Sequence, residues 1–300
     1  MLISASQMKK LLSKLLSYFL FFLLLLISLL PFWILYLLSD FLAFLLFYVI
    51  GYRRKVVFKN LEGSLPETFD TKKIAWQFYR FLADVFLESV KCFTIGKGNL
   101  LSRITCDNPE IMEQYARENR SVIFMSGHYC NWEYLIYSMN IIFPHWAIGV
   151  GKPLSDEVMN KLTNARRARF GMKIINAKNI REEFNKDKDK LTASLFLSDQ
   201  YPGGSHKGIH ALFLNKETDF LFGAEKYAVD YDFPVVYADF LRQTRGHYRI
   251  HLVKITDTPK ECEYGYIMKT YISLLEKTIL RDPAYWLWSH KRWKQIEGFY

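Results

Sequence analysis

His128 and Glu133 are the residues of this sequence whose types and spacing best suit chemistry. A histidine can take and return a proton near neutral pH, and a carboxylate beside it can hold the ring in one tautomer and stabilise the imidazolium that forms. The pair lies in Ser126-Gly127-His128-Tyr129-Cys130-Asn131-Trp132-Glu133, after the apolar run 122–125 and before the largely apolar stretch 134–139. That order reads as strand, tight turn and helix. Residues five apart on one continuous helix point about 140° away from each other. The two side chains can therefore meet only if His128 precedes the helix and folds back over it. Gly127 permits so sharp a turn because it has no Cβ to clash. The spacing alone suits equally well a histidine capping a helix and a glutamate on its surface.

Other chemistries lack their residues. Gly203-Gly204-Ser205-His206-Lys207 departs from a G-x-S-x-G nucleophile elbow at its last position. H-E-x-x-H, G-x-x-x-x-G-K-[ST] and G-x-G-x-x-G do not occur. Cys130 reads as a small packing residue rather than a thiol nucleophile. His128, Glu133 and Asp199 have no second histidine nearby to make a metal site, and no metal is expected. A His–Glu dyad activating a hydroxyl or a water remains. For acyl transfer to an alcohol, the imidazole takes the hydroxyl proton, the carboxylate orients the ring, and hydrogen-bond donors stabilise the tetrahedral oxyanion. No acyl-enzyme is required if both substrates bind together.

The elements that would position this pair are legible from residue 121 onward. Candidate strands at 121–126, 146–150, 172–176, 192–198, 234–240 and 247–255 alternate with candidate helices at 131–142, 155–169, 179–188, 221–231 and 262–281. This predicts an α/β fold with a mostly parallel central sheet flanked by helices. The close pair 234–240 and 247–255, joined by a loop containing Gly246, reads as an antiparallel hairpin at one edge. Residues 71–95 read as an amphipathic helix with Ile74, Phe78, Phe81, Leu82, Val85 and Phe86 roughly on one face. Thr218 suits a helix N-cap with Leu221 opening the apolar face. Sites in open α/β sheets lie at the carboxyl ends of strands. His128, Lys152, Asp199 with Gln200, and Asp239 fall there, and Asp199-Gln200 leads into the flexible turn Tyr201-Pro202-Gly203-Gly204.

The N-terminal run 15–50 carries a single charge, Asp40. It exceeds the roughly 20 apolar residues that cross a bilayer and is too long for a signal-peptide core. A division follows: a membrane anchor at 1–52 and a catalytic part at 53–300. Pro31 and Ser39-Asp40 interrupt the run, so a single tilted span and a re-entrant or interfacial helical pair both fit. Basic residues lie on both sides, with an excess after the run that favours a cytoplasmic catalytic part. The net charge of +10 calls for anionic partners. Cys92, Cys106, Cys130 and Cys262 are too scattered for a disulfide framework and suit a reducing compartment. Trp286, Trp288 and Trp293 interleave with His290, Lys291, Arg292 and Lys294. Nucleic-acid stacking, a membrane-interface belt and a packed core edge all fit that pattern, with the last two favoured beside an anchor.

In this order the blocks resemble the bacterial lipid A biosynthesis (lauroyl/myristoyl) acyltransferases of the lysophospholipid acyltransferase superfamily. After the hydrophobic anchor come Tyr52-Arg53-Arg54-Lys55-Val56-Val57, Asn60-Leu61 and Pro66-Glu67. Gly127-His128 through Asn131-Trp132-Glu133 has the H-x4-E form of the superfamily signature. Lys152-Pro153-Leu154, Arg167-x-Arg169-Phe170-Gly171 and Asp199-Gln200 follow, and Tyr285-Trp286-Leu287-Trp288-Ser289-His290-Lys291-Arg292-Trp293-Lys294 is the most distinctive block. The resemblance implies transfer of a fatty acyl chain from an acyl-carrier-protein or CoA thioester to a hydroxyl of a lipid A precursor, at the cytoplasmic face of the inner membrane. It implies His128 as general base and Glu133 as its partner. Arg167, Arg169, Asp199 and Gln200 would bind substrate or support the centre. No cofactor is implied beyond the acyl thioester co-substrate; the partners are anionic membrane lipid, the thioester carrier and a glycolipid acceptor, without nucleic acid. On a continuous helix Arg166 and Arg169 would share a face and Arg167 would point elsewhere, so one of the motif's pair would be structural. Alternative readings are an acyltransferase for a lysophospholipid or aminolipid, a His–Glu hydrolase, and a non-enzymatic membrane protein that binds anionic lipid.

Overall fold

The apolar N-terminal run divides at Pro31 into two helices, α1 (Ala5–Leu29) and α2 (Phe32–Phe44), the second continuing through a π-helical turn, Leu45–Val49. Proline at the start of a helix loses no intrahelical hydrogen bond. The carbonyls left over at the end of α1 are satisfied from outside it: Lys91 Nζ donates to the oxygens of Ser28 (3.0 Å) and Leu30 (2.8 Å), and Thr94 Oγ1 donates to Ser28 O (2.7 Å). Gln7–Leu29 and Phe32–Val49 have mean hydropathies of 2.2 and 2.0. Leu12, Phe19, Trp33, Leu37 and Phe41 are all exposed. So much outward apolar surface suits a bilayer better than water.

In this computed structural model, which describes residues 5–203, 208–294, 296, 298 and 300, the rest of the chain builds a layered α/β body. Its elements are α3 (Arg54–Leu61), α4 (Thr71–Lys91), α5 (Lys97–Leu101), β1 (Ile104–Cys106), α6 (Glu110–Arg117), β2 (Val122–Ser126), α7 (Trp132–Ile142), β3 (Trp146–Gly151), α8 (Glu157–Arg167), β4 (Lys173–Asn176), α9 (Ile180–Lys186), β5 (Thr192–Leu197), β6 (Gly208–Phe213), β7 (Lys216–Leu221), α10 (Gly223–Tyr231), β8 (Val235–Thr244), β9 (His247–Thr256) and α11 (Tyr266–Arg281). The main sheet runs β1-β9-β8-β2-β5-β3-β4, and β8–β9 is its one antiparallel pair. Every residue of β2 is buried, as expected of a parallel strand covered on both faces. The mostly parallel sheet matches the sequence expectation, as do the six strands and five helices placed from residue 121, to within a few residues.

Two expectations change, and for the C-terminal tryptophans one of the favoured readings, core, is the one observed. The β8–β9 hairpin is not at the edge, because β1 adds in parallel outside β9; β1 is only three residues long and carries no readable alternation. Thr218 is not a helix cap. It lies inside β7, which pairs with β6 in a separate two-stranded sheet, and its buried hydroxyl accepts from Arg292 Nη1 at 2.7 Å. The β6–β7 turn places Leu214 and Asn215 at φ of 50° and 61°, a left-handed turn without the glycine that usually signals one. The C-terminal tryptophans form core. Trp286, Trp288 and Trp293 are each at most 2 % exposed, and Trp286 meets Trp288 edge-on at 4.8 Å. Rings so enclosed can neither stack on bases nor lie in a headgroup layer.

Trp288 also donates from Nε1 to Pro283 O at 2.6 Å. Trp288→Ala therefore leaves a large cavity and should destabilise the body by about 3–5 kcal/mol. Denaturant unfolding of the detergent-purified protein checks this, and a loss below about 1 kcal/mol would place the ring outside the load of the core.

Candidate active site

Strands β2 and β5 are parallel and end level, with Ser126 opposite Leu197. Two residues past each end, His128 and Asp199 therefore face each other across 71 residues of sequence. Asp199 Oδ1 accepts from His128 Nδ1 at 2.6 Å, and Oδ2 accepts from the His128 backbone N–H at 2.8 Å and from Trp286 Nε1 at 2.9 Å. Asp199 is 2 % exposed. Burial on its own would raise the carboxyl, but the charge of His128 and these hydrogen bonds bring it down to about 2. Trp286 is held there because it forms an isolated antiparallel bridge with Tyr129, and Cys130 N–H donates to Tyr285 O at 2.9 Å.

With Nδ1–H committed to Asp199, the neutral ring keeps its lone pair on Nε2. Gln200 Nε2 lies 3.2 Å from that nitrogen and completes the assignment as a donor to it. The tautomer follows from this network of partners. Trp132 meets the imidazole edge-on at 5.1 Å. The ring is thus fixed at one nitrogen and available as a base at the other.

The turn between strand and helix divides its demands between two residues. Cys130 takes the left-handed conformation, at φ 49°. Gly127 is needed for space instead: a Cβ there would lie 2.7 Å from Leu275 Cδ1 on α11 and 3.3 Å from Asp199 Oδ2. Asn131 then caps α7, accepting from Tyr134 N–H at 3.0 Å and donating to Glu88 Oε2 at 2.6 Å. Glu88 is fully enclosed and also accepts from Tyr248 (2.8 Å) and Tyr36 (3.0 Å). Burial first, then the charge of Asp84, push its carboxyl up to about 7 against those hydrogen bonds. His128 precedes the helix, as the helical geometry requires.

Glu133 is turned elsewhere. Its Oε2 accepts from Arg167 Nε at 3.0 Å, and Oε1 accepts from Arg167 Nη2. Among the described residues no hydrogen bond joins Glu133 to His128. Glu133 is the second residue of α7 and points toward the end of α8, while Asp199 occupies the place expected of it beside the ring. Burial would lower Arg167, but the Glu133 charge keeps it raised. The predicted helix over 155–169 ends at Arg167 and gives way to a 3-10 turn, Ala168–Phe170. The i, i+3 relation expected for Arg166 and Arg169 therefore does not hold. Arg169 Nη1 donates to Cys92 O (3.0 Å) and Ile95 O (2.8 Å), beyond the end of α4. Asp239 is held by Arg281 at 2.7 and 2.8 Å, and Lys152 is exposed. Cys130 is buried, which pushes its thiol well up and removes it as a nucleophile. The turn after Gln200 is described as far as Gly203; residues 204–207 lie outside the described residues. The part of Trp286 in holding Asp199 was not legible, because a tryptophan-rich block announces packing more readily than one indole N–H.

Two outcomes follow. Gly127→Ala should cost about 1–3 kcal/mol of stability through overpacking and displace Asp199 from the ring; a neutral effect on unfolding and activity would contradict the contact. Since Asp199 titrates near 2 when folded and an ordinary aspartate near 3.8, its contribution to stability is complete above about pH 4 and is lost as pH falls toward 2. Acid unfolding curves should show this dependence reduced in Asp199→Asn.

The family model described as bacterial lipid A biosynthesis acyltransferase matches residues 5–295, nearly the whole chain. A comparison with curated proteins finds no match.

Proposed function

The chain belongs to the bacterial lipid A biosynthesis acyltransferase family and is an acyltransferase; we propose that it moves a fatty acyl chain from a carrier thioester, on acyl carrier protein or CoA, to a hydroxyl of a lipid A precursor. His128 Nε2 takes the proton of the acceptor hydroxyl, which replaces the Gln200 amide at that nitrogen. The hydroxyl oxygen attacks the thioester carbonyl, the tetrahedral intermediate collapses, and the departing thiolate recovers the proton from His128. No acyl-enzyme intervenes. Asp199 holds the ring in the required tautomer and stabilises the imidazolium between the two transfers. Glu133 and Arg167 form the second charged pair of the site: Glu133 keeps the half-buried guanidinium in place for substrate. Arg169 contributes through the backbone it holds. The observation that carries this reading is the contact of His128 with buried Asp199, which leaves the opposite nitrogen as the acceptor.

The net charge of +10 suits the anionic partners this reaction brings together. The two apolar helices and the family suggest membrane association; the proposed location is the inner membrane, with the body on the cytoplasmic face.

His128→Ala should lower transfer by about a thousandfold, within the range general bases supply, and Asp199→Asn by a similar factor. Glu133→Gln should lower it less while weakening substrate binding. The assay is mass spectrometry of lipid A species formed from acyl donor and precursor. Wild-type transfer by His128→Ala would end the general-base reading.

A further inference from the structure

A cleft of about 330 Å³ opens between α4 and the tip of the β8–β9 hairpin, with Arg80, Asp84, Arg242 and Arg245 among the side chains that line it. Two carboxylates hydrogen-bond to its three guanidinium groups, Asp84 in the wall and Asp40 on α2; Glu88 and Asp282 act on Arg242 only through their charge. Arg245 satisfies both. It donates to Asp84 from Nε (3.0 Å) and Nη2 (2.6 Å), and to Asp40 from Nη1 (3.0 Å) and Nη2 (2.9 Å). Ser39 Oγ adds a further bond to Asp84 at 2.6 Å. Arg80 and Arg242 are left with one long contact each to a carboxylate, both at 3.3 Å. Among the groups joined by these hydrogen bonds there is one more positive than negative charge, and the two weakly engaged guanidinium groups come from different elements, α4 and β8. Arg242 is only 16 % exposed and lies 4.9 Å from the Tyr285 ring centroid, so its charge is poorly screened by water. Gln77, Gln243 and Thr244 add only neutral groups.

Such a site fits an anion with several oxygens that can accept from two guanidinium groups at once. Its position says where the anion comes from. Arg245 also donates to Tyr36 O at 3.3 Å and stacks on the Tyr36 ring, so the cleft abuts α2. The outward face of the same helix exposes Trp33, Leu37 and Phe41. We propose that this cleft binds the phosphate of a membrane lipid whose apolar chains lie along α2. The inference takes from the proposed function only the seating of α2 in a bilayer. The phosphate could belong to a glycerophospholipid or to a phosphorylated glycolipid, which present the same chemistry.

The test is lipid binding, measured without catalysis so that failure of the acyl-transfer reading leaves it intact. The full chain in non-ionic detergent is titrated by native mass spectrometry with phosphatidylglycerol, a phosphorylated glucosamine disaccharide lipid, diacylglycerol as the phosphate-free lipid, and inorganic phosphate. At least one phosphorylated lipid should bind about tenfold more tightly than diacylglycerol, and Arg242→Gln and Arg80→Gln should each remove about that factor, as loss of a charge-assisted contact does. Whichever phosphorylated lipid binds more tightly identifies the source. The Arg80 side chain is 49 % exposed, so Arg80→Gln keeps the test open if Arg242→Gln fails to fold. Equal affinity for diacylglycerol, unchanged binding in Arg80→Gln, or inorganic phosphate binding as tightly as the lipids would overturn the proposal.

Discussion

A buried carboxylate organises this protein. Asp199 lies just past the carboxyl end of the interior strand β5 with almost no contact with water, a position that would be costly for an unpaired charge. Three donors offset the cost, from two distant parts of the chain: the ring and the backbone of His128 after β2, and the indole of Trp286 in the C-terminal segment. The register of β2 with β5 brings the first two together, and the tryptophan core holds the third. Gly127 leaves room for the carboxylate. The sheet, the strand-to-helix turn and the C-terminal block are thus fitted around one group, and the orientation of the imidazole follows from it.

The N-terminal helices are fastened to this body by polar contacts on the inner face of α2. Ser39 and Asp40 engage Asp84, Arg80 and Arg245, and Tyr36 donates to Glu88. Glu88 in turn accepts from Asn131, the cap of α7. Only two hydrogen bonds separate α2 from the start of the helix that follows His128. Apolar contact is non-directional, whereas these bonds fix the angle and depth at which α2 meets the body.

Much of the frame was legible because parallel strands and their helices write strong local patterns. The run 122–125, the turn at Gly127 and the helix after Asn131 follow from residue types alone. Asp199 and Gln200 follow the end of β5, where the apolar run before them puts a strand end. The pairing of the site was not legible. Glu133 is close to His128 in sequence, and sequence spacing favours near neighbours; the partner that the fold supplies lies just past the end of another strand and is set by register. The sequence puts Arg169 on a helix that in the structure ends two residues earlier, since nothing in Ala168-Arg169-Phe170 distinguishes a last α-turn from a 3-10 turn. The β6–β7 hairpin escaped because its turn uses Leu214 and Asn215 where a glycine would have announced it.

The claim at the centre is that Asp199 fixes His128 with its proton on Nδ1 and leaves Nε2 as the base. Nitrogen NMR of the protein labelled at histidine, with the His128 signal assigned by its loss in His128→Ala, measures this directly. The account predicts a protonated Nδ1 and an unprotonated Nε2 in the neutral ring, with that preference lost in Asp199→Asn. A neutral ring protonated at Nε2, or a tautomer unchanged by Asp199→Asn, would contradict it.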